Sequence, residues 1–230
     1  LSPSLHILAT ANVGLAREGA LNIREVVLNH AEGMEASEFK HGPNTILGKN
    51  FTFGLSQLQS GMAELRNWFA ELTARSQEAG LPSASLVPMA TALEEFLVRR
   101  ARPFHLRPEE SRVLEPLRER EFYGRLFAPY PLVFLTPPTE RDIHLTISQI
   151  NTHKIRGSSI FVIAEENEEL RQAALRAPAD APGYRGFYLA LPRTGSDLLY
   201  PFSAMMAVQM LALEMSVLKM KYLNRLKIPL

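Results

Sequence analysis

The stretch Glu18-Gly19-Ala20-Leu21-Asn22-Ile23-Arg24-Glu25 sets two carboxylates and an amide at positions i, i+4 and i+7. On a helix that spacing gathers Glu18, Asn22 and Glu25, with Asn29, into one narrow strip. A carboxylate held there could take a proton from a bound substrate and return it. Two further clusters follow closely, His30-Ala31-Glu32 and Glu38-Phe39-Lys40-His41-Gly42-Pro43. Histidine's ordinary pKa suits it to proton transfer near neutrality. Each residue also has a plainer reading. A glutamate on an amphipathic helix is most often a solvated charge, and Glu18 could cap a helix or pair with an arginine. His30 falls on the apolar side of the same helix and reads as a hydrogen-bonded core histidine. Lys40 suits either a phosphate or carboxylate partner or an ordinary surface lysine.

Other chemistries lack their residues. The sequence has no G-x-G-x-x-G after its first strand, no Walker A loop, no G-x-S-x-G elbow and no H-E-x-x-H. There is no cysteine, which removes disulfides, thiolate nucleophiles and Cys-ligated zinc together. The six histidines show no metal-ligand spacing. No cofactor and no metal are expected.

E-G-A-L-x-x-x-E, then H-A-E, then E-F-K-H-G-P resembles the second domain of the sugar isomerase (SIS) family in its glucosamine-6-phosphate synthase branch. Weaker likeness extends to Leu132–Pro137, Ser158–Ala164 and the C-terminal helix. The resemblance implies aldose–ketose interconversion, with Glu25 as the proton-transfer carboxylate and His41 as the ring-opening histidine. Glu18, Asn22 and Lys40 would then contact substrate. It also implies that His41 serves a neighbouring domain's site. The sequence departs from the family at Asn22, where the family's helix carries a lysine that assists proton transfer. The family's Ser- and Thr-rich phosphate loops belong to a first SIS domain absent from this chain.

The elements that must position these residues alternate. Leu5–Ala9 reads as a buried strand, followed by a helix over 14–30 and a loop-rich stretch over 31–50. Helical segments follow. The first places Leu55, Leu58, Met62, Leu65, Trp68, Phe69 and Leu72 at helical spacing; the second carries Met89, Leu93, Phe96 and Leu97; the third runs from Pro108 towards Phe127. Leu132–Leu135, Ser159–Ala164 and Phe187–Leu191 read as further strands. Thr139-Glu140-Arg141-Asp142 reads as a capping box, Glu165–Arg176 as a short acidic helix, and 198–223 as a long Met- and Leu-rich helix. Near-continuous apolar strands alternating with helices predict an α/β three-layer sandwich with a mostly parallel sheet of four or five strands. The SIS-like domain spans 1–50 and 129–230, interrupted by a helical insertion over 51–128. Ligands bind outside the strand C-terminal ends of such sheets, so Thr10–Asn12, Thr136–Thr139 and Ala164–Asn167 are the loops of interest. Trp68 is expected to anchor the insertion, and the Met205, Met206, Met210 and Met215 stripe to form core or interface.

The chain has 230 residues and a formal net charge of +1, with basic and acidic residues interspersed, so no nucleic-acid partner is expected. The longest apolar runs read as too short and too interrupted to span a bilayer, so no membrane partner is expected either. The start, LSPSLHILAT, shows no signal peptide, and a cytoplasmic location is the default. Lacking an initiator Met, the sequence reads as a piece of a larger protein. The expected partners are a sugar phosphate of the hexose-6-phosphate class and a second SIS domain, in cis or in a homodimer. Two functions fit: the isomerase half of an aminotransferase-like enzyme, or a non-catalytic sugar-phosphate-binding module.

Overall fold

The structure is a computed structural model and describes residues 4–47, 52–53, 55–99, 105–118, 127–179, 181 and 183–228. Its strands form where apolar residues run without interruption. β1 (Ser4–Ala9), β3 (Tyr130–Thr136) and β4 (Ser158–Glu165) are buried along almost their whole length, as central strands covered on both faces must be. β2 (His30–Glu35) and β5 (Gly186–Leu191) close the two edges and are more exposed. The five-stranded sheet runs in the order β2-β1-β3-β4-β5, and all its ladders are parallel.

Alternation along the strands supplies two apolar faces. Leu5, Ile7, Ala9, Val133, Leu135 and Ile163 form one, covered by α1 (Val13–Asn22) and α8 (Tyr200–Arg225) through Ala16, Ala20, Tyr200, Ala204 and Val208. Leu8, Leu132, Phe134, Ile160 and Val162 form the other, covered by α2 (Ala36–His41), α6 (Glu140–Lys154) and α7 (Glu168–Leu175). Small residues let α1 come close: a Cβ at Gly19 would sit 3.1 Å from both Ile7 and Val208. At the expected capping box Thr139 is the N-cap of α6, its Oγ1 accepting from the Asp142 amide at 3.3 Å.

Residues 55–127 form a compact unit distinct from residues 1–54 and 128–230. In it α3 (Leu55–Glu78), α4 (Leu86–Arg99) and α5 (Pro108–Arg118) pack around a fully buried Trp68, whose indole donates to Glu64 Oε1 at 2.9 Å.

Several expectations are corrected. The helix read over 14–30 ends earlier: α1 passes into a π-helical turn, Ile23–Val27, and Leu28 (φ 55°) terminates it in the left-handed region. His30 is therefore a strand residue, and it is exposed rather than core. The stretch read as loop over 31–50 contains β2, α2 and a 3₁₀ turn over Pro43–Ile46. Here β2 passes so close to α1 that a Cβ on Gly33 would lie 2.1 Å from the Ala16 carbonyl oxygen. The third helical segment is described over Pro108–Arg118, and residues 119–126 of that reading lie outside the described ones.

By length and composition, α8 is apolar enough to cross a membrane, contrary to the reading that no run qualifies. Its polar residues are too few to offset the Leu, Met and Ala around them. One side of α8 nevertheless packs on the sheet, with Tyr200, Ala204, Ala207, Val208 and Ala212 buried. Met205 and Met215 pack against that core, whereas Met206 and Met210 are exposed on the outer side and add nothing to it.

Candidate functional site

Glu18, Asn22 and Glu25 lie along the outward side of α1 and its π turn. That placement follows from the inward commitment of Leu15, Ala16, Gly19, Ala20, Ile23 and Val27. Glu18 and Glu25 are exposed and Asn22 is half-buried. The Asn22 amide donates to the Glu18 carbonyl oxygen at 2.9 Å and to Glu18 Oε1 at 3.3 Å, tying that carboxylate to its own helix. Two contacts hold the end of the helix that carries Glu25. Arg24 Nη1 donates to the Ala31 carbonyl oxygen at 2.6 Å, and Lys219 of α8 bonds to residues 27–29.

Lys40 and His41 sit in the last turn of α2 and are exposed. The helix starts on Glu35, whose side chain accepts from the Glu38 amide at 2.8 Å, and Phe39 is its buried anchor. Among the described residues no hydrogen bond or ion pair joins Glu25 to His41, or either of them to Lys40. The chain offers these groups to solvent on two separate elements.

A cleft of about 200 Å³ opens outside the C-terminal ends of β3 and β4, lined by Thr136, Pro137, Pro138, Glu165, Glu166 and Asn167 among others. Two of the three loops singled out from the sequence meet here. The strand order reverses between β1 and β3, so the cleft lies one strand beyond the switch point at which such sheets commonly bind ligands. Its charges are already engaged. The buried Glu165 carboxylate accepts from the Thr194 amide at 3.0 Å and from its hydroxyl at 2.5 Å. Arg171 grips Glu166 with Nη2 at 2.6 Å and stacks on Tyr188, 4.7 Å from the ring centre. Burial pushes the Tyr188 phenol up to about 12, so it remains a neutral donor, to the Glu165 carbonyl oxygen at 2.5 Å. The first turn of α7 carries Glu168 and Glu169, which occupy the positive end of that helix. A phosphate would meet carboxylates here rather than free donors.

Among the described residues no group of three or more His, Asp or Glu could hold a metal ion. Sequence reasoning missed a polar cluster at the opposite end of the sheet, made of Ser4, His6, His30, Glu32 and Tyr130. The i, i+2 spacing of His30 and Glu32 is a strand signal that could have exposed it.

No family model matches the chain. Over 83 residues, 36% of the chain, it is 41% identical to a glutamine–fructose-6-phosphate aminotransferase (isomerising) of Sulfolobus acidocaldarius. Over 77 residues, 33% of the chain, it is 34% identical to the protein of that name from Helicobacter pylori. These matches span only 14% and 13% of the two relatives' lengths. Among solved structures, the C-terminal domain of glucosamine-fructose-6-phosphate aminotransferase from Francisella tularensis aligns with a TM-score of 0.47 at 15% identity, covering 95% of this chain and 36% of that one. Tagatose-6-phosphate ketose/aldose isomerase from Escherichia coli aligns with a TM-score of 0.49 at 13% identity, covering 94% of this chain and 36% of that one. In sequence, then, this α/β chain is similar to the isomerising glutamine–fructose-6-phosphate aminotransferases, and through them resembles the sugar isomerase family.

Proposed function

We propose that the chain is one SIS-type domain of a protein that handles a hexose 6-phosphate, and that its substrate site is completed by a second SIS domain in cis or in a homodimer. The observation that carries this reading is the outward presentation of Glu18, Asn22 and Glu25 on one element and of Lys40 and His41 on another. The carboxylate-lined cleft at the ends of β3 and β4 supports it, because the phosphate cradle must then come from elsewhere.

In this reading Glu25 moves the proton between C1 and C2 of the open-chain sugar, and His41 assists ring opening in a neighbour's site. The product would be the isomerised sugar of an aminotransferase-like reaction. The second reading, a non-catalytic sugar-phosphate-binding module, is favoured by one observation. Asn22 cannot carry or relay a proton, and its amide is spent on Glu18.

The test uses the full-length gene product and follows deuterium wash-in at C1 of fructose 6-phosphate and at C2 of glucosamine 6-phosphate. Exchange that disappears in Glu25→Gln, with binding retained, supports the isomerase. Binding without exchange supports the module. A thermal melt unmoved by any hexose or pentose phosphate overturns both. Ligand at ~100 times its Kd should add about 2.7 kcal/mol of stability.

A further inference from the structure

The N-terminal ends of β1, β2 and β3 carry a polar cluster that the proposed sugar site leaves unused. Ser4 and His6 of β1 lie beside His30 and Glu32 of β2 through the registers Ser4↔His30 and His6↔Glu32. Tyr130 of β3 reaches the same sheet face. Three contacts run in a line. Ser4 Oγ is 2.7 Å from His30 Nδ1 and 2.8 Å from Tyr130 Oη, and Tyr130 Oη is 2.9 Å from His6 Nδ1. The other nitrogens of the two imidazoles converge on one carboxylate, with His6 Nε2 3.3 Å from Glu32 Oε2 and His30 Nε2 3.4 Å from Glu32 Oε1. The line closes into a ring.

Counting hydrogens decides its protonation. The three contacts in the line need three hydrogens, and the Ser4 and Tyr130 hydroxyls supply one each. At least one imidazole must therefore carry a hydrogen on Nδ1. Were that imidazole neutral, its Nε2 lone pair would face a carboxylate oxygen, acceptor against acceptor. The ring is satisfied only with one proton more than two neutral imidazoles and an ionised carboxylate provide.

We propose that Ser4, His6, His30, Glu32 and Tyr130 form a latch that holds one shared proton and fastens the edge strand β2 to β1 and β3. The proton resides on His30, and His6 is the neutral Nε2–H tautomer. Burial favours this assignment. His6 is 4% exposed and packs on Phe39 of α2 with ring centres 5.0 Å apart, whereas His30 reaches solvent. Burial pushes the His6 pKa down, and the Glu32 carboxylate raises it only in part. The hydrogen bonds then share one direction. His30 Nδ1–H donates to Ser4, Ser4 donates to Tyr130, and Tyr130 donates to His6 Nδ1.

Other charged and titratable groups lie close by. Arg24 of the π turn bonds to the Ala31 carbonyl oxygen, between the two β2 members. Beyond Phe39 is His153 of α6, itself held neutral by burial and by the charges of Arg156 and Lys40. Because β2 leads directly into α2, the latch governs how firmly Lys40 and His41 are held. Burial lowers the His6 pKa, so protonating its Nδ1 at low pH would break the Tyr130 contact and weaken the latch as the pH falls. This inference is independent of the sugar-phosphate reading.

The test is nitrogen-15 NMR of histidine-labelled full-length protein near pH 6. Expected are two protonated ring nitrogens on His30, and on His6 a protonated Nε2 with a bare Nδ1. A neutral His30, or His6 as imidazolium or as the Nδ1–H tautomer, overturns the proposal. Tyr130→Phe should perturb both imidazoles together, and independent responses overturn it as well. Amide exchange in β2 should quicken by about tenfold in Glu32→Gln, which removes one acceptor from the ring. An unchanged rate in Glu32→Gln sinks the latch.

Discussion

Lys219 of α8 places its ammonium on the last carbonyls of the helix that bears Glu25. Nζ donates to the Val27 oxygen at 2.8 Å, to the Leu28 oxygen at 2.9 Å and to Asn29 Oδ1 at 3.0 Å. A cation there satisfies carbonyls left open by the left-handed exit at Leu28 and opposes the helix dipole. Lys219→Met keeps the aliphatic stem and removes the charge. It should cost about 1–2 kcal/mol in a urea titration. An unchanged midpoint would show that the contact adds nothing.

Burial and the nearby charges of Arg156 and Lys40 hold His153 near a pKa of about 4, from an ordinary 6.5. The folded state keeps this imidazole neutral, while the unfolded chain protonates it near 6.5. Its contribution is therefore complete above about pH 6.5 and fades as the pH falls towards about 4, by about 3 kcal/mol in all. His153→Leu should lose stability at neutral pH, because the Gln149 contact at 3.1 Å goes, yet show a shallower acid slope than the natural chain. Parallel slopes in denaturant titrations across that range would contradict this.

If the full-length protein isomerises, Glu25→Gln should lower turnover about 10²–10⁴-fold while leaving ligand binding nearly intact. His41→Asn should slow a cyclic substrate more than an open-chain one. Asn22→Lys is the sharper change. A large gain in C2 exchange would mark the natural protein as a silenced enzyme and favour the binding-module reading.

Gly33→Ala should destabilise by more than about 2 kcal/mol, because the new methyl meets the Ala16 backbone rather than a side chain that could turn away. A melting temperature within a degree of the natural one would mean that β2 and α1 separate more easily than their geometry implies.

That glycine also shows why the sequence was only partly legible. β1, β3 and β4 announce themselves as apolar runs because both their faces are buried. β2, His30–Glu35, has one apolar residue sealed in, Ala31, and otherwise reads as a polar, glycine-broken loop. Its strand character comes from pairing with β1, which no local pattern records. The strip of Glu18, Asn22 and Glu25 was visible because helical spacing alone fixes it. The loops around the cleft were visible because strand ends predict them. The Ser4–Tyr130 contact was not, since it joins residues 126 apart in the chain.

The pairing of β1 with β3 also governs how the protein folds. His6 sits opposite Leu132 in the middle of the sheet, with the π turn, β2 and the whole of the 55–127 unit strung between them. Joining those strands early would close a very long loop before any contact repaid its entropy. Collapse of α3–α5 around Trp68 before the sheet forms would shorten that loop. Pulsed hydrogen exchange during refolding should protect α3 and α4 amides before those of β1 and β3. Weakening the Trp68 core should slow closure of the sheet while leaving its final ladders unchanged.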